Sequence, residues 1–276
     1  MKPHARVVIF TDLDGTLLDH HTYSWRAARP ALAVLRRRRV PLVLCSSKTR
    51  AEMEVLREEL GNRHPFITEN GGGIFLPRNY FSQDIPGKER VGRYACLALA
   101  KPYEEIVGEL EEISRQAGAE VIGFHQMTPA QVAARTGLKV RQAELAKRRE
   151  FDEPFFFAGS KAQAEAKFRR LARRRGLELT RGGRFWHLFA GSDKGRAVRR
   201  LIRLYRGAGA PRLLTVALGD SANDLPMLAA VQHPVLLAKP DGSFDREVVE
   251  KLPRVTRGEA PGPQGWNRAV LALLRD

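Results

Sequence analysis

The chain has 276 residues, 43% of them hydrophobic, which suffices for a core in one large domain or two modest ones and excludes wholesale disorder. Its formal net charge of +16 at pH 7 fits anionic partners (nucleic acid, a membrane surface or an acidic small substrate), or else a solvated arginine-rich surface of an organism with biased composition or a hot habitat. No apolar run approaches the roughly 20 residues that span a bilayer, so a membrane protein is not expected.

Near the N-terminus, Lys2, His4 and Arg6 precede only a short apolar run, which is no signal peptide. That run, Val7 to Phe10, reads as a buried strand of a parallel sheet and ends in Asp12-Leu13-Asp14-Gly15-Thr16. Residues i and i+2 of an extended strand project to one side, so Asp12 and Asp14 lie together at the strand's carboxyl end, where open α/β sheets bind ligands. The pair needs a protonated partner or a hard cation such as Mg²⁺ to offset its repulsion; alternatively it is an acidic turn capping the next helix.

A helix is expected from Ala27 to Arg38, then a strand from Val40 to Cys45 running into Ser46-Ser47-Lys48-Thr49. A second helix, Arg50 to Leu60, stops at Gly61, and a short strand, Phe66 to Thr68, leads into Glu69-Asn70-Gly71-Gly72-Gly73. This alternation argues for a doubly wound parallel sheet. Cys45 and Cys96 lack CxxC spacing and read as buried free thiols of a cytoplasmic protein.

From about Phe81 the rhythm changes. Strands are expected at 93–100, 120–124, 155–158, 177–180 and 184–189, with a helix opened by Pro102 and another from Lys161 to Arg175. Thr128-Pro129-Ala130-Gln131 is a capping box with proline at N1. The stretch reads as an α+β insert with an antiparallel sheet. The first rhythm resumes with Ser192-Asp193-Lys194-Gly195 opening a helix, a strand to Leu218 ending in Gly219-Asp220-Ser221-Ala222-Asn223-Asp224, a short helix, and a strand from Pro234 to Ala238. A loop from Arg257 to Gly265 precedes the closing helix near Trp266. The expected architecture is an α/β, Rossmann-like doubly wound core, residues 1–81 and 191–276, with an inserted α+β cap, residues 82–190.

Asp12 and Asp14, Ser46, Lys194, and Asp220 with Asp224 together resemble the four ordered motifs of the haloacid dehalogenase-like phosphatase superfamily. The resemblance implies that Asp12 attacks phosphorus, Asp14 serves as general acid and then base, Ser46 donates to a phosphoryl oxygen, and Lys194 supplies a positive charge. It implies Mg²⁺ on the carboxylates of Asp12 and Asp220 and the carbonyl of Asp14, with Asp224 orienting the metal shell or Lys194. Asn223 is a phosphate contact by the same resemblance, beside Ser221, or else a helix-capping residue. Ser47 and Lys48 stand where relatives often carry Gly-Arg; Lys48 is a phosphate or substrate contact, or a surface lysine.

The insert resembles the type IIB cap. The runs at Ser46–Thr49, Glu69–Gly73, Arg149–Phe155, Gly182–Leu188 and Gly262–Asn267 resemble the mannosyl-3-phosphoglycerate phosphatase family. This implies a small anionic sugar-phosphate substrate, 2-O-mannosyl-3-phosphoglycerate, and a product that serves as a compatible solute of heat- and salt-adapted microbes. Substrate contacts are expected from Asn70, Arg184, His187 and Gly265, with the Pro261-to-Trp266 loop closing over the ligand. Arg184 would pair with the carboxylate; Arg149 and Glu150 contact sugar or pair at a helix end, and His187 is a sugar contact or a packed histidine. Other type IIB phosphatases or phosphomutases, and a glucosyl substrate, stay open, as does the oligomeric state. A nucleic-acid-binding module on a degenerate phosphatase fold is disfavoured, because the acidic residues are intact and no basic run is interleaved with aromatics.

Overall fold

In a computed structural model of the chain, the described residues are 7–182, 185–191 and 193–275. The elements run β1 (Val7–Thr11), α1 (Arg29–Arg37), β2 (Leu42–Cys45), α2 (Arg50–Glu59), β3 (Phe66–Thr68), β4 (Gly73–Pro77), β5 (Glu89–Val91) and β6 (Tyr94–Ala98). There follow α3 (Tyr103–Ala117), β7 (Val121–Gly123), α4 (Pro129–Thr136), α5 (Val140–Ala146), β8 (Asp152–Phe157), α6 (Ala162–Arg174), β9 (Leu177–Gly182) and β10 (Phe185–Ala190). The chain closes with α7 (Lys194–Gly207), β11 (Leu214–Gly219), α8 (Leu225–Leu228), β12 (His233–Ala238), α9 (Arg246–Lys251), β13 (Thr256–Pro261) and α10 (Gly262–Leu273).

A nine-stranded sheet has the order β13-β12-β11-β1-β2-β3-β4-β6-β5. From β13 to β3 neighbours are parallel; β4, β6 and β5 extend the edge antiparallel. Alternation along β1 sorts its side chains between two cores. Val8 and Phe10 pack with Val43, Leu201 and Tyr205 on the side of α7, and Ile9 packs with Leu44, Met53, Trp266 and Val270 on the side of α1, α2 and α10. Burial of each such large apolar side chain contributes about 1.5–3 kcal/mol. Helices are stacked on both faces, as the doubly wound reading requires.

Local chemistry sets the helix starts. Thr49 accepts from the Glu52 N–H at 3.2 Å while Glu52 Oε2 accepts from the Thr49 N–H at 2.9 Å, a reciprocal cap on α2. Thr128 and Gln131 do the same for α4. On α7 the cap is Asp193, whose carboxylate accepts from the Arg196 N–H at 2.7 Å; Ser192 lies outside the described residues.

The strand expected at 93–100 forms, but in the core and not in the cap. β6 pairs antiparallel with β4, and Tyr94 packs edge-on to Phe66 at 5.1 Å, so its apolar face is satisfied by the large sheet. The passage into the insert therefore comes after β6, later than residue 82. The insert has a four-stranded antiparallel sheet, β7-β8-β10-β9. Ile106, Leu110, Phe155, Phe168 and Leu188 form its core with α3 and α6, while α4 and α5 cover Phe124, Phe156 and Phe185. The expected loop at 257–265 is also different: its first half is strand β13, paired with β12, and its second half is the first turn of α10. Cys45 and Cys96 are free and buried, as expected.

Candidate active site

The functional side chains sit where β1, β2 and β11 end and where α7 begins. Asp12 follows β1 directly, and its N–H donates to Leu218 of β11 at 2.9 Å. Gly15 turns the chain at φ +79°, and a Cβ there would stand 2.5 Å from Asp220 Oδ2, so only glycine brings the two acidic segments this close. Thr16 Oγ1 donates to Asp220 Oδ1 at 3.4 Å.

Lys194, on the first turn of α7, is buried and donates to Asp12 Oδ1 at 2.7 Å and Asp224 Oδ1 at 2.6 Å. Burial alone would lower its pKa, but the carboxylates of Asp12 and Asp224 override this and hold it above the ordinary lysine value. Asp224 Oδ2 accepts from the N–H of Asp220 at 3.1 Å and of Ser221 at 3.3 Å, so both its oxygens are engaged. Ser221 Oγ donates to Asn223 Oδ1 at 2.8 Å, which turns both side chains onto one another.

Asp14 Oδ2 pairs with Lys48 Nζ at 2.8 Å, while Asp14 Oδ1 is buried without a hydrogen-bond partner. Burial acts to lower the Lys48 pKa, and Asp14 and Glu52 raise it above its usual value. Ser46, buried at the end of β2, accepts from the Lys48 N–H at 3.3 Å. The sequence thus brings Asp12, Asp14, Ser46, Lys48, Lys194, Asp220 and Asp224 to one end of the sheet, as the motif reading expects.

Carboxylate oxygens of Asp12, Asp220 and Asp224 lie within 4.8 Å of one another. Three carboxylates face one ammonium there. Burial, then Asp224, pushes Asp12 well above the carboxylate range, and the same causes push Asp220 up to about 7. An all-oxygen cluster short of positive charge fits a hard divalent cation. Asp12 and Asp220 are the carboxylates available to it, because Asp224 is committed to Lys194 and two backbone N–H groups.

Of the other expected substrate contacts, Asn70 borders this site, its N–H donating to the Ser46 carbonyl at 3.1 Å, and its side chain joins a network around Glu69. Glu69 Oε2, in the turn after β3, accepts from the N–H of Phe151 at 2.8 Å and of Asp152 at 2.9 Å, and Glu69 Oε1 from that of Glu150 at 3.0 Å. Burial raises Glu69 to about 7, against the Arg149 guanidinium 3.5 Å away. Arg149 also contacts Asp152 and donates to the carbonyl of Ser47 at 3.1 Å. Asn70 Nδ2 and His187 Nδ1 each meet Asp152 Oδ2 at 3.1 Å. Arg50 grips Glu150 through Nε at 3.1 Å and Nη2 at 3.0 Å. Asn70, Arg149, Glu150, His187 and the Ser47 carbonyl therefore take part in a clamp between core and insert, in which Asn70 Oδ1 is buried without a hydrogen-bond partner.

Gly265 is likewise a packing residue, since a Cβ would stand 1.7 Å from the Ala260 carbonyl oxygen and force α10 off β13. Trp266 is fully buried and donates from Nε1 to Thr11 Oγ1 at 3.0 Å, bracing the residue before the nucleophile candidate. Arg184 lies outside the described residues. The Lys194–Asp224 contact is the second of the two roles that the resemblance allows Asp224, whereas the clamp is not foreseen; the glutamate of Glu69–Gly73 and the arginine of Arg149–Phe155 are the only signals for it.

Residues 9–95 match the haloacid dehalogenase-like hydrolase family. A glucosyl-3-phosphoglycerate/mannosyl-3-phosphoglycerate phosphatase of Methanococcoides burtonii is 46% identical over 267 residues, covering 97% of each chain. The chain belongs to this haloacid dehalogenase-like phosphatase family. It is an enzyme, a phosphatase. A protein of the same name from Persephonella marina is 38% identical over 271 residues, 98% of each chain. A solved haloacid dehalogenase subclass IIB sugar phosphatase superposes with a TM-score of 0.64 at 17% identity, covering 96% of this chain and 98% of that one, which bears on the fold alone. Among the described residues no helix is long and apolar enough to cross a membrane.

Proposed function

We propose that the enzyme hydrolyses the phosphate monoester of 2-O-mannosyl-3-phosphoglycerate and of its glucosyl analogue, releasing the glycosylglycerate and inorganic phosphate. The observation that carries this reading is the convergence of Asp12, Asp14, Ser46 and Lys194 at one end of the sheet, in a chain whose relatives at 46% and 38% identity over nearly full length bear that substrate in their names.

An oxygen of the Asp12 carboxylate attacks phosphorus, the bond from phosphorus to the glycerate oxygen breaks, and that oxygen takes a proton from Asp14 Oδ1 as it leaves. The unpartnered, buried position of Oδ1 suits a proton carrier, while Lys48 holds the other oxygen of the same carboxyl group. Asp14 then removes a proton from water, the water oxygen bonds to phosphorus, and the phosphorus–Asp12 bond breaks to give phosphate and the starting enzyme. Ser46 Oγ and Lys194 face the equatorial phosphoryl oxygens, where charge must be neutralised. Mg²⁺, when bound by Asp12, Asp220 and the Asp14 carbonyl, would supply the charge that lets a carboxylate approach an anionic phosphoryl group. Recognition of the sugar and the carboxylate is assigned to Arg184, the rest of the insert and the loops nearby, since Asp12, Asp14, Ser46 and Lys194 reach only the phosphoryl end.

The test is phosphate release over a panel of mannosyl- and glucosyl-3-phosphoglycerate, hexose phosphates and a small aryl phosphate, with and without Mg²⁺. The two glycosyl-3-phosphoglycerates should have the highest kcat/KM. A hexose phosphate turned over faster, or interconversion of phosphate positions without release, would replace this reading with a different sugar phosphatase or a phosphomutase.

A further inference from the structure

The loop that leaves the Asp12–Thr16 turn carries a partly exposed aromatic side chain on strained backbone. Asp19 Oδ1 accepts from the N–H of Thr22 at 2.8 Å, from Thr22 Oγ1 at 2.8 Å and from the N–H of His21 at 3.1 Å. The Asp19 N–H donates to the Ser24 carbonyl at 3.0 Å, and the Tyr23 N–H to the Asp19 carbonyl at 3.0 Å. The loop is therefore tied down, yet it holds Tyr23 at φ +55° and leaves it 41% exposed. A side chain with a Cβ resists that conformation by about 1–2 kcal/mol, and an exposed ring recovers little of it through burial. Strain of this kind gathers at functional sites.

The neighbours of the ring give its direction. Lys48 Nζ stands 5.3 Å from the Tyr23 ring centroid and 2.8 Å from Asp14 Oδ2. Lys48 thus stands next to both Asp14, the residue assigned to the leaving-group oxygen, and Tyr23. In a glycosyl-3-phosphoglycerate the oxygen protonated by Asp14 is on C3, the glycosidic oxygen is on C2 and the carboxylate is C1. A cation beside Asp14 is within reach of the carboxylate, and the next group outward meets the sugar.

We propose that Tyr23 is a stacking platform for the sugar ring, supplied by the core and not by the insert, with Lys48 beside it contacting the glycerate carboxylate. The assignment rests on the proposed function and names a recognition element for that substrate class. A tyrosine suits the task because its large rigid face packs against the C–H face of a pyranose and its hydroxyl keeps the edge wetted.

The test compares the full-length enzyme with Tyr23→Ala and Tyr23→Phe. The readings are kcat and KM for mannosyl-3-phosphoglycerate, the competitive inhibition constant of sugar-free 3-phosphoglycerate, and the thermal midpoint. Tyr23→Ala should raise KM about tenfold, which is about 1.4 kcal/mol, with kcat within about twofold. The inhibition constant of 3-phosphoglycerate and the thermal midpoint should hardly move, and Tyr23→Phe should keep most of the affinity. An unchanged KM in Tyr23→Ala, or an equal loss for 3-phosphoglycerate, would overturn the assignment. A wild-type enzyme inert toward both glycosyl-3-phosphoglycerates would instead overturn the proposed function and this subsite with it.

Discussion

Asp12 and Lys194 meet at 2.7 Å across 182 positions of sequence, in a site where both are almost wholly buried. Lys194 also holds Asp224, so one ammonium sets the geometry of the nucleophile candidate and of the turn after β11. Replacing it by methionine, Lys194→Met, leaves buried carboxylates without their counter-ion. The expected loss is on the order of 10²–10³ in kcat, together with about 3–5 kcal/mol of stability in metal-free buffer. Phosphate release and urea unfolding check this; a variant near wild type in both would remove Lys194 from the mechanism.

The carboxylate cluster of Asp12, Asp220 and Asp224 predicts a divalent requirement. Mg²⁺ should raise the thermal midpoint of the wild type and have little effect on Asp220→Asn, a readout independent of turnover. Activity should disappear with chelator and return with Mg²⁺ or Mn²⁺ better than with Ca²⁺, whose longer bonds and higher coordination number suit this set poorly. Full activity after exhaustive chelation would give the cluster another purpose.

The clamp between core and insert should dominate their mutual stability. Arg149 contacts Glu69 and Asp152, both fully buried, and Arg149→Met strips their shared cation away. About 3–5 kcal/mol should be lost, and the unfolding transition should broaden or split as the insert comes loose. Unfolding monitored by both tryptophan fluorescence and circular dichroism measures this. A loss below about 1 kcal/mol would mean that the backbone N–H donors to Glu69 suffice.

His187 sits in the same cluster, and burial, then the Arg149 charge, lowers its pKa from 6.5 to about 3. Between those values the unfolded chain binds a proton that the folded ring refuses. Stability from this group is therefore complete above pH 6.5 and drains away as pH falls toward 3, with a slope of up to about 1.4 kcal/mol per pH unit. His64, lowered to about 4 by burial, acts in the same direction. Substituting glutamine, His187→Gln, should flatten the difference between pH 6.5 and 4 in urea titrations; an unchanged slope would show that the ring is already protonated in the folded state.

The catalytic end of the fold was legible because its signals are local. Asp12 and Asp14 share a strand end by spacing alone, and Gly61 marks where α2 has ended. Strand β13 was not legible: Thr256–Pro261 includes a glycine and a proline, and only pairing with β12 makes it extended. β6 was assigned to the insert because the apolar run Tyr94–Ala98 does not say which sheet it joins, whereas Phe66 and Phe75 decide it in space. The clamp was invisible for the same reason. Glu69 and Asp152 are 83 positions apart, and the polar residues around them look equally suited to a ligand until their partners are known.

The central claim is that Asp12 carries the phosphoryl group from a glycosyl-3-phosphoglycerate to water. The most direct measurement mixes enzyme with mannosyl-3-phosphoglycerate, quenches in acid within a turnover, and maps phosphorylated peptides by mass spectrometry. The account predicts a phosphoryl group on Asp12 in the wild type, more of it in Asp14→Asn, where loss of the base slows hydrolysis of the intermediate, and none in Asp12→Asn, which should release no phosphate while keeping its fold. Sustained phosphate release by Asp12→Asn, or a phosphoryl group on any other residue, would contradict it.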